Sequence, residues 1–347
     1  MLFSNPLANP LFLPIAGVVG GMLAISLLYT LIMEHNHLSE LHKRSLFHRW
    51  GSSAILSPLV VLAIFSGPGP LTALITIMAL IGTLEYGLVT RLSPMFFPIA
   101  ILFSLVIPIA TARTAQPAMQ SLLDAFLMIG ATAVFAYGRV TSTAQDARSV
   151  TAKTSAQVDI TSPPEPNTPA AAEPVDSYTL PQAALAFLAV AYTPFLGSYA
   201  VLLSKLEHGS GLLLSLIAAI GLSDTLAFVC GKAFGHLTPK LAPHVSPNKT
   251  WAGAIGSVIG AYVGFLIMPL AYPASCPTLP IEALVLLPPL IALAATMGDL
   301  FESVIKRSYG VKDAGSWLPG FGGLLDRIDS LLFALPVCYY IVLSCIS

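Results

Sequence analysis

Long apolar stretches alternate with short polar breaks along most of this chain. Ten such stretches run near residues 11–33, 52–67, 70–90, 94–112, 119–139, 180–204, 210–235, 253–274, 281–303 and 328–346. Most have the roughly 20 residues that an α-helix needs to cross a bilayer. None shows the strict alternation of a transmembrane β-strand. The pattern predicts an all-α, polytopic bundle of about nine to ten membrane-spanning helices.

The composition also indicates a membrane protein. Hydrophobic residues make up 55% of the chain and charged residues only 10%, whereas a soluble chain carries roughly a quarter charged residues. The mean hydropathy is +0.80. No basic residue precedes the first apolar stretch and no small-residue cleavage site follows it, which predicts a retained helix rather than a signal peptide. The four cysteines lack the spacing of zinc or redox sites and are expected to act as small core residues.

One segment, residues 141–179, interrupts the apolar pattern. It is rich in Ser, Thr, Pro and Ala and has no apolar period, which predicts a disordered loop without chemistry. The loop separates N-terminal membrane helices, residues 1–140, from a C-terminal membrane domain, residues 180–347. If the N-terminus lies outside, 14 of the 16 Lys and Arg residues fall on inner loops, as the positive-inside rule requires. This orientation puts the loop on the cytoplasmic side.

Polar residues concentrate in the stretch Gly298–Ser330. It holds four of the 16 Lys and Arg residues and five of the 17 acidic residues. If one helix continues past the first glycine, four polar side chains share a face, namely Asp299, Glu302, Ser303 and Lys306. A second helix starting near Leu324 would put Asp326 and Asp329 on one face. Carboxylates that can hold a divalent cation would then lie beside cations that can hold phosphate, as metal-assisted phosphoryl chemistry requires.

Two acidic residues lie inside apolar stretches. Asp224 is near the middle of its stretch, where an ionised carboxylate is costly unless it faces a cavity, an ion or a partner. We favour a functional role for Asp224 over a structural hydrogen bond between helices. Glu85 lies nearer a helix end, and a functional and a structural role explain it equally well.

A basic loop lies between Lys232 and Trp251. Three N-cap residue types come just before the next apolar stretch, namely Ser246, Asn248 and Thr250. Lys249 lies among them, so the start of that helix is a candidate anion site. A positive-inside anchor with an interfacial tryptophan explains the same residues equally well. His236 and His244 are expected to be loop residues rather than ligands.

Glycines recur every four residues in the next apolar stretch, at Gly256, Gly260 and Gly264. This spacing predicts a helix-packing face, within the chain or between copies, rather than a nucleotide-binding loop. The sequence contains neither a Gly-x-x-x-x-Gly-Lys-Ser/Thr phosphate loop nor the Ser, Asp and His order of a hydrolase.

The C-terminal stretch resembles the integral membrane phosphatidate cytidylyltransferases, or CDP-diacylglycerol synthases. Their signature reads Ser-x-x-Lys-Arg, four residues, Lys-Asp, then Pro-Gly-His-Gly-Gly, two residues and Asp-Arg-x-Asp. Every spacing is kept by Ser303, Lys306-Arg307, Lys312-Asp313, Pro319-Gly320, Gly322-Gly323 and Asp326-Arg327-x-Asp329. Further segments that look like the family's are Gly298-Asp299-Leu300, Ser223-Asp224-Thr225 and Ser246–Trp251. The resemblance is specific over about residues 220–330.

Three residues depart from the family pattern. Phe321 stands where the family usually has His, Ala252 where it usually has Glu, and Ser223 where it often has Asn. The loss of the His removes a titratable group from the glycine turn, residues 319–323. The carboxylates and cations of the signature are all present, which favours a working variant over an inactive copy.

The resemblance implies transfer of CMP from CTP to phosphatidate, giving CDP-diacylglycerol and pyrophosphate. It implies Mg2+, as one or two divalent ions or as a divalent with a monovalent ion, held by Asp224, Asp299, Asp326 and Asp329. The implied catalytic residues, which brace the phosphates, are Lys306, Arg307, Lys312, Asp313 and Arg327. The implied substrate-binding residues are Ser246, Asn248, Lys249, Thr250, Ser303, Gly322 and Gly323.

The implied partners are CTP, phosphatidate or a related lipid phosphate, and membrane lipids, with no nucleic acid and with a homodimer left open. The implied location is a bacterial cell membrane, with the site on the cytoplasmic side. Two alternatives stay open. One is a CTP-dependent kinase of a polyprenol or phytol, which would release CDP instead of pyrophosphate. The other is a cation transporter. The acids cluster with cations on one side of the membrane instead of spreading across it, which argues against a transporter.

Overall fold

The computed structural model describes residues 3–33, 45–114, 182–243, 245–315 and 322–346. Within these ranges the chain forms nine long helices: α1 Phe12–Met33, α2 Ser45–Phe65, α3 Pro68–Val89, α4 Phe97–Arg113, α5 Gln182–Ser204, α6 Gly209–Phe234, α7 Trp251–Ala271, α8 Ile281–Ser308 and α9 Leu325–Ile346. Two short antiparallel strands, β1 Lys240–Ala242 and β2 Ser246–Thr250, form a hairpin between α6 and α7.

Every apolar stretch that falls within the described ranges forms a helix, which confirms the predicted all-α bundle. Seven of these helices are long and apolar enough to cross a membrane, and two shorter apolar helices, Trp50–Phe65 and Phe97–Arg113, accompany them. The protein is therefore a multi-pass membrane protein. The apolar stretch 119–139 and the segment 141–179 lie outside the described residues, so the division into domains stays a prediction.

The segment before α7 differs from the sequence-based expectation. Ser246 and Asn248, two of the three N-cap candidates, lie on β2, which pairs with β1 through Ala242 opposite Ser246. Only Thr250 caps α7, because its Oγ1 accepts a hydrogen bond from the N–H of Gly253 at 3.1 Å. Strand β1 supplies hydrogen-bond partners to the backbone of β2, whereas the prediction placed these residues at the start of the helix.

An aromatic core joins the C-terminal helices. The ring of Tyr199 on α5 packs edge-on against Phe195 and against Tyr339 of α9, with centroids 5.7 and 5.6 Å apart. The hydroxyl of the buried Tyr199 lies 2.9 Å from that of the half-buried Tyr340, so each hydroxyl has a partner. Helix α1, in contrast, buries only 6% of its most apolar window. Lipid can cover such a helix without the cost that water would impose.

Helices α6 and α7 pack backbone to backbone along the glycine row. A Cβ atom added at Gly260 would lie 2.3 Å from the carbonyl oxygen of Leu222. Gly256 and Gly264 meet α6 in the same way, at 2.5 and 2.3 Å from carbonyl oxygens. This confirms the predicted packing face and places it within the chain. The close approach also holds Asp224 of α6 beside the first turns of α7.

Helix α5 contains one π-helical turn, Ala191–Phe195. Pro194 lies in this turn and has no backbone N–H to donate, which accounts for the local widening of the helix. The turn sets the Tyr192 ring edge-on against Phe301 of α8, with centroids 5.0 Å apart. It therefore places a polar aromatic side chain against α8, the helix that carries Asp299 and Lys306.

Candidate active site

A cavity of about 500 Å³ opens between α6, α7, α8 and the β-hairpin. Its charged lining residues are Asp224, Lys232, Lys249 and Asp299. Phe228 and Ala254 contribute apolar surface to the same cavity. Cavities of this size bind small molecules and cofactors. The mixture of charged and apolar lining suits a ligand that has both a charged and an apolar part.

An ion pair crosses this cavity between β2 and α8. The ammonium group of Lys249 lies 2.8 Å from Oδ2 of Asp299 and 3.4 Å from the carbonyl oxygen of Thr296. Both charged side chains are partly exposed, at 23% and 42%, so an incoming anion or cation can reach either one. The structure thus brings together two residues that are 50 positions apart in sequence and were both predicted for the site.

The other hairpin residues predicted to bind substrate divide into two groups. Asn248 and Thr250 line the cavity beside Lys249. Ser246 lies on the same strand but is not among the lining residues. The hairpin therefore reaches the cavity through the end of β2 nearest α7, and Ser246, at the far end of the strand, does not line it.

A third carboxylate, Asp329 of α9, lies close to the two acids of the cavity. Asp329 is only 7% exposed, and its charge is within interaction range of Asp224 and Asp299. Close crossing of α8 and α9 makes this possible, because a Cβ atom at Gly298 would lie 2.3 Å from the carbonyl oxygen of Asp329. Three of the four predicted metal-binding acids therefore gather in one region.

The fourth, Asp326, lies in a buried cluster with Lys306 and Glu302. Lys306 of α8 lies 2.5 Å from Oδ1 of Asp326 and 2.7 Å from Oε2 of Glu302. Exposure of the three side chains is 13% for Lys306, 9% for Asp326 and 2% for Glu302. One cation thus contacts two buried acids. Lys306 is held by acids here rather than extended toward a substrate.

The loop before α9 wraps around Asp326. Its Oδ2 accepts hydrogen bonds from the N–H groups of Ala314 and Gly323, at 3.0 and 2.9 Å. The N–H of Gly323 thus has a carboxylate partner, and the substrate-binding role expected for Gly323 stays a prediction. Gly322 has φ of +89°, a conformation that favours glycine, and a Cβ there would lie 3.1 Å from the same carboxylate. Gly322 and Gly323, the described glycines before α9, thus lie directly against Asp326.

The remaining predicted residues occupy more open positions. Ser303 donates to Oδ1 of Asp299 at 3.3 Å and so orients a carboxylate of the cavity. Arg327 is exposed, and its charge acts on Asp224. Three further signature residues are exposed around the end of α8, namely Arg307, Lys312 and Asp313. Pro319, Gly320, Phe321 and His244 lie outside the described residues.

A divalent cation fits the chemistry of the acidic region. Oε1 of Glu302 and the hydroxyl of Tyr192 are buried without a hydrogen-bond partner, and Tyr192 lies within electrostatic range of Asp299, Glu302, Asp326 and Asp329. Buried oxygens without a partner beside uncompensated acids favour a cation. In the part of the chain that the structure describes, no three His, Cys, Asp or Glu side chains are arranged so that they could hold a metal ion by themselves. Mg2+ commonly completes its shell with water and substrate phosphate oxygens.

Comparison with known sequences identifies the family. The profile described as the cytidylyltransferase family matches residues 47–345 of this chain, which is most of its length. The chain belongs to the cytidylyltransferase family. The match extends well upstream of the C-terminal signature and includes α3, which carries Glu85.

Several relatives of this chain share one name. A protein of Brucella abortus biovar 1 (strain 9-941) named phosphatidate cytidylyltransferase is 43% identical over 126 residues, 36% of this chain and 44% of the relative. A protein of the same name in Mycobacterium leprae (strain TN) is 36% identical over 169 residues, which are 49% of this chain and 52% of the relative. A third, of Thermotoga maritima, is 35% identical over 156 residues, 44% and 57% of the two chains. The chain spans about half the length of these curated relatives.

Two residues of this site received no assigned role from the sequence. Glu302 is not among the residues that the resemblance implies, yet it shares Lys306 with Asp326. Its position four residues before Lys306 on one helix face was the available signal. Tyr192 had no signal beyond a Pro two residues later, since only the fold brings α5 against α8.

Proposed function

We propose that this protein is a phosphatidate cytidylyltransferase that uses CTP. The Lys249–Asp299 ion pair inside the cavity carries the proposal. It sets a phosphate-binding cation and a metal-binding carboxylate side by side, between helices that are apolar enough to cross a membrane. Family membership and the name shared by the relatives support the same reaction.

The proposed reaction joins two anions and needs no activated side chain. A phosphate oxygen of phosphatidate attacks the α-phosphorus of CTP and forms a new P–O bond. The bond from the α-phosphorus to the oxygen that bridges to the β-phosphate breaks, and its electron pair leaves with pyrophosphate. The residues must therefore neutralise charge and align the two phosphates, which are the usual means of catalysis in phosphoryl transfer.

The cavity residues suit the lipid phosphate. Lys249 and Lys232 supply positive charge, and Phe228 supplies apolar surface within the same lining. The Lys232 ammonium group lies 5.9 Å from the centroid of the Phe228 ring, so cation and apolar surface are adjacent. We propose that the phosphate of phosphatidate binds at Lys249, with the glycerol backbone against the apolar lining.

The exposed signature cations suit the CTP phosphates. Arg327 begins α9 beside the acidic region, and Arg307 and Lys312 are exposed near the end of α8. We propose that these three cations bind CTP and the departing pyrophosphate. Asp224, Asp299 and Asp329 would hold Mg2+, with Asp326 acting mainly through Lys306 and the loop. Bound Mg2+ would neutralise phosphate charge and help align the reacting groups. The site would open to the cytoplasm, where CTP is available.

Two labelled forms of CTP test this function. Purified protein in detergent is incubated with Mg2+, CTP labelled at either the α- or the γ-phosphate, and either phosphatidate or a mixture of polyprenol and phytol. We expect the α-label in lipid and the γ-label in pyrophosphate. The γ-label in a polyprenol or phytol phosphate would instead identify a kinase. Cation flux in proteoliposomes without CTP turnover would identify a transporter.

A matched pair of variants tests the role of the cavity. Lys249→Met should lower the rate about 100-fold, because it removes a charge that stabilises the transferring phosphates. Lys240→Met removes an exposed cation from β1, which is not among the residues lining the cavity, and should keep the wild-type rate. Equal rates in the two variants would contradict the assignment of the cavity as the active site.

A further inference from the structure

Glu85 of α3 is buried and contacts the start of α9. Its exposed fraction is 0%. Its Oε1 accepts a hydrogen bond from the N–H of Leu324 at 2.9 Å, and its Oε2 accepts one from Leu325 at 2.7 Å. These N–H groups belong to the first turn of α9, which has no intrahelical acceptor for them. A carboxylate that is 239 and 240 residues away in sequence therefore caps the signature helix.

The loop backbone closes tightly around this carboxylate. A Cβ atom at Gly315 would lie 2.6 Å from Oε1 of Glu85, and one at Gly323 would lie 2.8 Å from Oε2. Neither position can hold a side chain without displacing the carboxylate. The space that Glu85 needs thus explains why glycine stands at both positions. The two N–H donors at the helix N-terminus offset the cost of burying the carboxylate.

The same loop carries the acids of the site. The N–H of Gly323 donates to Asp326, and the next two N–H groups donate to Glu85. Asp326 and Asp329 follow within the first two turns of α9. Glu85 therefore fixes the position at which α9 begins. The start of α9 in turn fixes the position of Asp326 relative to Lys306 and of Asp329 relative to Asp299.

We propose that Glu85 is a positioning residue of the active site. It holds the first turn of α9 so that Asp326 and Asp329 meet the residues of α8. It also occupies the positive end of α9, so the substrate phosphates must bind to side-chain cations instead of this helix N-terminus. This inference rests on the proposed cytidylyltransferase function, but its physical content is a contact between α3 and α9 that can be measured without turnover.

The first test compares Glu85→Gln with Glu282→Gln, which changes an exposed glutamate at the start of α8. The amide keeps the shape of Glu85 but turns an N–H2 group toward one of the two N–H donors. We expect kcat to fall 10- to 100-fold, as is typical when a residue that orients metal ligands is lost. We expect the KM for phosphatidate to change less than threefold, because the Lys249 end of the cavity is untouched. Glu282→Gln should match the wild type.

Two readouts are independent of turnover. Mn2+ binding, followed by electron paramagnetic resonance, should weaken about 10-fold or more in Glu85→Gln. Amide hydrogen exchange should accelerate at residues 322–330 and stay unchanged in α6 and α7. A purely structural role would lower the melting temperature but leave kcat and Mn2+ affinity of the folded protein unchanged, and that result would overturn the proposal.

A second variant covers the case in which Glu85→Gln does not fold. Gly315→Ala keeps the glutamate and pushes a methyl group onto its carboxylate, so it should give the same local exchange and the same loss of Mn2+ affinity. Wild-type behaviour in Gly315→Ala would overturn the proposal. If the wild type binds Mn2+ but forms no CDP-diacylglycerol, the proposed function fails. The difference in Mn2+ affinity between the wild type and Glu85→Gln still tests the positioning role of Glu85. A wild type that neither reacts nor binds Mn2+ overturns both.

Discussion

Gly298 of α8 lies directly against the backbone of Asp329 on α9. A Cβ atom at Gly298 would be 2.3 Å from the carbonyl oxygen of Asp329, which is well inside any allowed contact. The absence of a side chain at this one position lets the two signature helices cross closely enough for Asp299 and Asp329 to interact. The acidic region therefore depends on a packing contact as much as on the acids themselves.

We predict that Gly298→Ala separates α8 from α9. The added methyl group should cost about 1–3 kcal/mol of stability, as overpacking of a tight contact does, and should lower kcat at least 10-fold by moving Asp299 away from Asp329. Thermal unfolding in detergent and the labelled-CTP assay measure the two effects. Gly20→Ala on α1 is the control, because nothing lies within 4 Å of a Cβ at that position. Equal activity of the two variants would show that the close crossing is not needed.

Lys306 is predicted to be a stability residue as well as a site residue. Lys306→Met leaves Glu302 and Asp326 buried without their cation, and removing one partner of a buried charge pair typically costs about 3–5 kcal/mol. Adding Glu302→Gln removes one of the two uncompensated acids, so the double variant should recover part of the lost melting temperature. If Lys306→Met is as stable as the exposed-site control Lys240→Met, Lys306 does not stabilise the buried acids and the prediction fails.

The proposed metal role of Asp329 predicts a change in Mg2+ requirement. Asp329→Asn removes a charged oxygen at nearly constant volume, so the concentration of Mg2+ that gives half-maximal rate should rise about 10-fold or more. The folded protein should persist, as judged by size-exclusion chromatography. The control is Glu207→Gln, since the Glu207 side chain is 84% exposed. An unchanged Mg2+ titration would remove Asp329 from the set of ligands.

The proposed orientation predicts opposite labelling of two cysteines. In a variant lacking the four native cysteines, Pro247→Cys on the β-hairpin should resist an impermeant thiol reagent in intact cells and react after lysis. Glu207→Cys, on the loop between α5 and α6, should react in intact cells. The expectation follows from the 14 of 16 cations that this orientation puts inside. The reverse pattern would place the cavity on the side where CTP is absent.

The sequence was sufficient for the helices because the bilayer imposes a simple requirement. About 20 apolar residues in a row must form a helix, since no other segment structure satisfies its own backbone in lipid. The helical face of Asp299, Glu302, Ser303 and Lys306 was readable for a related reason, as the 3.6-residue repeat fixes which neighbours share a side. The glycine row of α7 was readable too, because only a close helix contact explains three glycines at that spacing in an apolar segment.

Only the tertiary structure decided how the polar residues are used. Nothing in the spacing of the signature shows that Lys306 is held by two acids or that the N–H of Gly323 belongs to Asp326. Nor could the sequence choose between the two roles of Glu85, because its partners are some 240 residues away. The β-hairpin before α7 was missed since strand pairing depends on which backbone groups meet in space. Periodicity acts along one helix, whereas hydrogen bonds and charge balance depend on the distances between helices, and those distances exist only once the chain has packed.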